Sequence, residues 1–181
     1  MVFKFKKFNI EQDQCTMKVG TDGVLLGAWA NVENTNSILD IGTGTGVIAI
    51  MLAQRAAKAK VVGVEIDTAA CEQAQQNMDG SPYAKRLKAE LSPIQDFAKL
   101  SREDFDLIVS NPPFFSGGTF SENQDRNSVR HTVKLSHGDL LMAVQKLLSK
   151  TGKFCLILPY LEGLRLQEMA KSYNLFCTKM T

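Results

Sequence analysis

The sequence predicts an α/β domain built on a doubly wound, mostly parallel sheet with helices on both faces. Apolar runs of strand length recur along the chain: "SILDI" at 37–41, "VVGVEI" at 61–66, "RLKAE" at 86–90, "FDLIVS" at 105–110 and "KFCLIL" at 153–158. Between them, "GVIAIMLAQRAAK", "AACEQAQQNMD" and "GDLLMAVQKLLSK" place apolar residues three and four apart, the spacing of amphipathic helices. Strands alternating with helices in this way form a parallel sheet covered on both sides. With 181 residues, 44% of them hydrophobic, the chain is long enough to bury one substantial core. No repeat or interdomain linker breaks it, so a single domain over 1–181 is expected, with an N-terminal extension at 1–34 and the core at 35–181.

Composition narrows the function classes. No run approaches the roughly 18 apolar residues of a membrane span, and "MVFKFKKFNI" lacks the apolar core of a secretory signal. A soluble, cytoplasmic protein with no membrane partner is expected. Cys15, Cys71, Cys155 and Cys177 contain no CxxC pair, and His131 and His137 are the only histidines. No metal set is expected from that spacing, and the thiols read as reduced packing groups. A formal net charge of +2 is too mild to demand a polyanion, so nucleic-acid affinity has to come from local patches.

Taken in order, residues 3–19 suit a hairpin, and "DGVLLGAWA" suits a helix capped by Thr21 or Asp22. "LDIGTGTG" at 39–46 follows, where a strand passes into a helix. Gly42, Gly44 and Gly46 permit a tight turn and close approach of a ligand, towards which the next helix points its free N–H groups. A nucleotide-like group fits there. The spacing is GxGxG with Asp40 two residues ahead, and Val47 stands where the dehydrogenase fingerprint needs a third glycine, which disfavours hydride chemistry. Glu65 closes the next strand, where a doubly wound nucleotide fold places a carboxylate for the ribose hydroxyls.

"SNPPFF" at 110–115 ends the "FDLIV" strand rigidly: two prolines remove two donors and fix two φ angles, and Asn111 is driven to extended backbone by the proline after it. The polar stretch at 116–137 is longer than an ordinary connection, as functional or disordered segments are.

Asp40, Gly42, Gly44, Gly46 and Glu65 together resemble the cofactor site of the Rossmann-like class I S-adenosylmethionine (SAM)-dependent methyltransferases. The resemblance implies SAM as cofactor, with S-adenosylhomocysteine as product. "NPPF" looks like the (Asn/Asp/Ser)-Pro-Pro-(Tyr/Phe/Trp) signature of relatives that methylate planar amino nitrogens. It implies that Asn111, bordering the cofactor, and the Pro112 carbonyl hold the amine, while Phe114 stacks on the target ring.

A closer likeness covers nearly the whole chain: "KFKKFNIEQDQCTMKVGTDGVLLGAWA", "LDIGTGTG", "FDLIVSNPPFF" and "LILP" resemble the bacterial tRNA1(Val) adenine N6-methyltransferase family. It implies a tRNA substrate, and it implies that Lys18, Thr21 and Asp22 sit over the cofactor. Where that family commonly carries an acid towards the cofactor's adenine, "ELSPIQDF" leaves only the Ser92 hydroxyl. The family also has two closing strands, whereas "NLFCTKMT" supplies at most one, so a truncated sheet with an open edge is expected, either monomeric or pairing through that edge.

For an RNA substrate, the candidate contacts are Lys4, Lys6, Lys7, Arg126, Arg130, His131 and Lys134, although "FKFK" equally suits a strand with its lysines in water. His131 and His137 read as surface loop residues, since the mechanism needs no general base. Two other readings compete: an amino-methyltransferase acting on an rRNA guanine or a protein glutamine, and a SAM- or RNA-binding module without turnover.

Overall fold

The computed structural model describes residues 1–112 and 135–181. Its centre is a five-stranded, all-parallel sheet made of β3 (Ser37–Ile41), β4 (Lys60–Glu65), β5 (Leu87–Leu91), β6 (Phe105–Ser110) and β7 (Leu148–Leu156), in the order β5-β4-β3-β6-β7. The order reverses between β3 and β6, which creates the crevice at the carboxyl ends where ligands of such sheets collect. Ahead of the sheet, β1 (Val2–Lys4) and β2 (Asn9–Glu11) form an antiparallel hairpin, followed by α1 (Thr21–Trp29).

Alternation along the strands decides which helix each face receives. Ile38, Val61, Leu107 and Val109 point to one side, where they pack with Leu26 of α1, Ile48 and Leu52 of α2 (Val47–Arg55), and Ala74 and Met78 of α3 (Thr68–Asp79). Leu39, Ile41, Val64 and Ile108 point to the other, against Phe97 of α4 (Ile94–Leu100), Leu140 and Val144 of α5 (His137–Leu147) and Leu166 of α6 (Tyr160–Ala170). Leu39, Ile38, Leu107 and Ile108 are fully buried. Each stabilises the fold by about 1.5–3 kcal/mol relative to exposure.

Several expectations are corrected. Thr21 and Asp22 do not cap α1: Gly20, in extended backbone, is its N-cap with no side-chain capping bond, and both residues fall inside the first turn. The helix expected through residue 150 stops at Leu147, because β7 starts at once by pairing Leu148 with Phe105. The ladder then shifts so that Lys153 faces Leu107. Helices α4 and α6 were not anticipated; "SPIQDFAKL" and "PYLEGLRLQEMA" carry their signal as a proline just before each first turn. Residues 175–181 contain no strand, so "NLFCTKMT" supplies no closing strand, and among the described residues β7 has a neighbour only in β6. His137 is not a loop residue: it opens α5, half-buried, with Nε2 3.5 Å from Glu162 Oε2 of α6.

Candidate active site

The β3–α2 turn adopts the conformation its glycines allow. Gly42, Gly44 and Gly46 have φ of 73°, 55° and 79°, the left-handed region that other residues enter only at a cost. A Cβ at Gly42 or Gly44 would meet nothing within 4 Å, so the turn faces open space. A Cβ at Gly63 of β4 would stand 2.7 Å from Thr43 Oγ1, and glycine there is what lets Thr43 tuck under the turn. From that place the Thr43 hydroxyl donates to Asp40 Oδ2 at 2.7 Å.

Asp40 is completely buried, and among the described residues its Oδ1 has no hydrogen-bond partner. Burial pushes its carboxyl up to about 7; the Thr43 hydrogen bond and the Ala49 amide in the first turn of α2 oppose this, and the Glu65 charge adds to it. Glu65 ends β4 and turns back on the glycine loop. Its Oε2 accepts the Gly44 N–H at 2.9 Å, and its Oε1 accepts those of Ile66 at 2.8 Å and Asp67 at 3.1 Å. A carboxylate oxygen takes two donors, so Oε2 alone retains capacity for a ligand.

Asn111 lies one residue past Ser110, which pairs with Ile41 immediately before the turn. Among the described residues its Oδ1 is buried without a hydrogen-bond partner, and its Nδ2 lies 3.8 Å from where a Cβ on Gly23 of α1 would stand. Pro112 is buried behind it. Ser92, just past β5, donates its N–H to the Glu65 carbonyl at 2.9 Å and its hydroxyl to the Pro93 carbonyl at 3.0 Å. Asp40, the glycine turn, Glu65, Ser92 and Asn111 thus share the carboxyl edge of four adjacent strands. Phe114, Arg126, Arg130, His131 and Lys134 lie outside the described residues.

The N-terminal extension reaches this edge through polar contacts that the motifs did not reveal. Buried Asn77 of α3 donates to the Glu11 carbonyl at 2.7 Å and to the Thr45 carbonyl of the turn at 2.9 Å, and it accepts the Glu11 N–H at 2.8 Å. One turn earlier, Gln73 accepts the Gln14 N–H at 3.4 Å, and buried Gln12 accepts the Val19 N–H at 2.8 Å. The signal was present as a polar pair four apart on one face of a helix, where a core face should be apolar. The Lys18 ammonium donates to the Gln12 carbonyl, while Thr21 and Asp22 make no side-chain hydrogen bond among the described residues. Burial raises the Cys15 thiol, the Glu65 carboxylate raises it further, and Lys18 opposes. Among the described residues no cluster suits a metal ion, and no helix is long and apolar enough to cross a membrane.

A parallel sheet with this turn defines the methyltransferase small domain, whose family model matches residues 18–162. Within that class the chain belongs to the tRNA1(Val) (adenine(37)-N6)-methyltransferase family. It is 48% identical to the member from Histophilus somni over 98% of this chain and 74% of that protein. It is 49% identical to the member from Trichodesmium erythraeum over 98% of this chain and 75% of that protein. Among solved structures, TrmN from Thermus thermophilus shares the fold with a TM-score of 0.60 at 19% identity, over 82% of this chain and 40% of that one. An O-methyltransferase from Brevibacillus brevis in complex with S-adenosyl-L-homocysteine has a TM-score of 0.55 at 19% identity, over 76% of this chain and 40% of that one.

Proposed function

We propose that this protein, acting in the cytoplasm as one domain over 1–181, transfers a methyl group from SAM to the N6 amine of adenine 37 in tRNA1(Val), the reaction its relatives are named for. The observation that carries the reading is Asn111 Oδ1: a buried acceptor with no hydrogen-bond partner among the described residues, at the switch point of the sheet. Such an atom costs about 1–3 kcal/mol until a donor reaches it, and an exocyclic amine is a donor.

The residues fit the cofactor. Gly42 and Gly44 leave space beside the turn, and α2 starts there with the N–H groups of its first turn directed at that space. Glu65 has acceptor capacity for a ribose hydroxyl, and Ser92, next to it, is the group for the adenine. Lys18, Thr21 and Asp22 border the same edge from the extension, and Asp40 steadies the turn from beneath. When bound, SAM supplies an electrophilic methyl carbon on a sulfonium sulfur.

The chain's own part is to hold the acceptor nitrogen. The adenine N6 lone pair is delocalised into the ring, so the amine is a poor nucleophile, but its two N–H groups are donors. Asn111 Oδ1 and the Pro112 carbonyl accept them, which localises the lone pair and fixes its direction. Rigidity comes from the Pro112–Pro113 pair and from the extended backbone it imposes on Asn111. Phe114 is assigned to stack on the base. No side chain takes the proton during transfer; the methylated nitrogen releases it to water afterwards.

Incubation of unmodified tRNA1(Val) with SAM, followed by nucleoside mass spectrometry, should yield N6-methyladenosine. A methylated guanine in rRNA, a methylated glutamine in protein, or SAM binding with no product would each overturn this reading. Glu65→Ala should weaken SAM binding roughly tenfold or more by calorimetry, the value of a hydrogen bond to a charged group. Unchanged affinity would remove Glu65 from the cofactor site.

A further inference from the structure

We infer that the tip of the N-terminal hairpin is a second RNA contact, separate from the active site, that grips the phosphate backbone of a double-helical stem of the tRNA. This rests on the tRNA reading above and adds where the RNA lies on the protein.

The first ten residues hold Lys4, Lys6 and Lys7 and no acidic residue, and without them the rest of the chain would be slightly acidic. The charge is thus concentrated at one place. Lys6 and Lys7 form the two-residue turn of the hairpin, closed by the Phe5 N–H donating to the Phe8 carbonyl at 2.9 Å. Turns of this length favour asparagine and glycine, and two adjacent cations at the tip repel one another, so neither propensity nor hairpin stability accounts for them. The aromatics account for the stiffness instead: Phe5 and Phe8 stack at 4.5 Å and 20°, and Phe3 tilts onto Phe5 at 5.0 Å. Three lysines are therefore carried on a braced support.

A plain structural role for the lysines would be to neutralise the helix carboxyl ends beneath the tip. That role is filled by Arg86, whose guanidinium donates to the carbonyls of Ala53, Ala56 and Ala59 around the end of α2. Lys4, Lys6 and Lys7 make no hydrogen bond or ion pair among the described residues. Grooves of about 760 and 380 Å³ flank the tip, and Lys6 and Lys7 line both. Unpaired cations beside concave surface are complementary to a polyanion.

The position selects which part of the RNA is met. The smaller groove at the tip is lined on its far side by Gln54 and Arg55, the end of α2 remote from the glycine turn. Nine helical residues at about 1.5 Å each put it roughly 13 Å from the active-site edge. The nucleotides around the target base are held at that edge, so a contact this far along the protein falls on the adjoining stem, recognised through phosphate rather than sequence.

The test is equilibrium binding of the full chain to unmodified tRNA1(Val) and to a single-stranded heptanucleotide of its anticodon loop, each over a series of salt concentrations. For the K4Q/K6Q/K7Q variant, the tRNA affinity should fall about tenfold or more and the slope of log K against log salt should flatten by about 2–3. Heptanucleotide binding, SAM affinity and melting temperature should not move. An unchanged salt slope on tRNA overturns the inference, and so does an equal loss on the heptanucleotide, which would put the lysines at the crevice. If the wild type shows this lysine dependence yet makes no N6-methyladenosine, the catalytic reading fails alone. If it makes the product and the lysines are immaterial, this inference fails alone.

Discussion

The two ends of the sheet treat their buried polar groups in opposite ways. At the amino edge, Arg86 satisfies three carbonyls at the end of α2, at 2.8, 2.8 and 2.6 Å. At the carboxyl edge, Asp40 Oδ1 and Asn111 Oδ1 are buried with no hydrogen-bond partner among the described residues. Both edges are built by the same strands and helices, so the fold itself does not force the difference. A satisfied end contributes stability; an unsatisfied one holds acceptors ready for a ligand at a cost to stability. The contrast separates residues kept for folding from residues kept for chemistry, and it can be broken by substitution at either end.

The largest effect is expected at Asn111. Asn111→Ala removes an acceptor of the amine and should lower the single-turnover rate of methyl transfer about 10²–10³-fold. SAM affinity by calorimetry should change little, and the urea midpoint should stay level or rise, because the unpaired buried oxygen goes with the side chain. A clear loss of stability would mean that Asn111 belongs to the satisfied class, and the contrast would fail. Arg86→Ala should behave in reverse. It strands three carbonyls and should cost about 3–4 kcal/mol of unfolding free energy, while the rate per folded molecule at low temperature remains that of the wild type. Arg86→Lys should recover only part of this, since an ammonium cannot span three acceptors in the geometry of the fork. A drop in rate without a drop in stability would place Arg86 with the chemistry.

The same contrast explains what the sequence disclosed. The strands, the glycine turn and the end of β6 before Asn111 were legible because each leaves a local signature: "SILDI" and "FDLIVS" coincide with β3 and β6, and a GxGxG between strand and helix has few uses. The helices α4 and α6 were passed over because they are short or carry their apolar residues on a narrow stripe, with "YLEGLRLQEMA" exposing Tyr160 and Leu161. Of the Asn77 clasp only the polar pair of Gln73 and Asn77 on a helix face was legible, and its partners were not. Its partners, Glu11 and Thr45, lie 66 and 32 positions away and are engaged through backbone atoms, which no side-chain pattern encodes. Arg86 was hidden in the same way, since its three acceptors are all carbonyls.

A smaller effect, carried by pH, probes the cost at the carboxyl edge directly. Asp40 holds its proton up to about pH 7 in the folded protein, chiefly because of burial, whereas its ordinary value is 3.8. Between those values the folded state binds more protons than the unfolded chain, so this group's contribution is fully favourable below about pH 4 and is lost as pH rises towards 7. From pH 5 to pH 7 the loss is about 2 kcal/mol. Asp40→Asn cannot ionise, and urea unfolding at pH 5 and pH 7 should show that increment missing from the variant whatever its absolute stability. Parallel pH dependences in the two proteins would mean that the carboxylate is solvated when the chain folds. Asn111 would then carry the contrast without Asp40, and the turn would owe its shape to the three glycines and Thr43 without a strained charge beneath them.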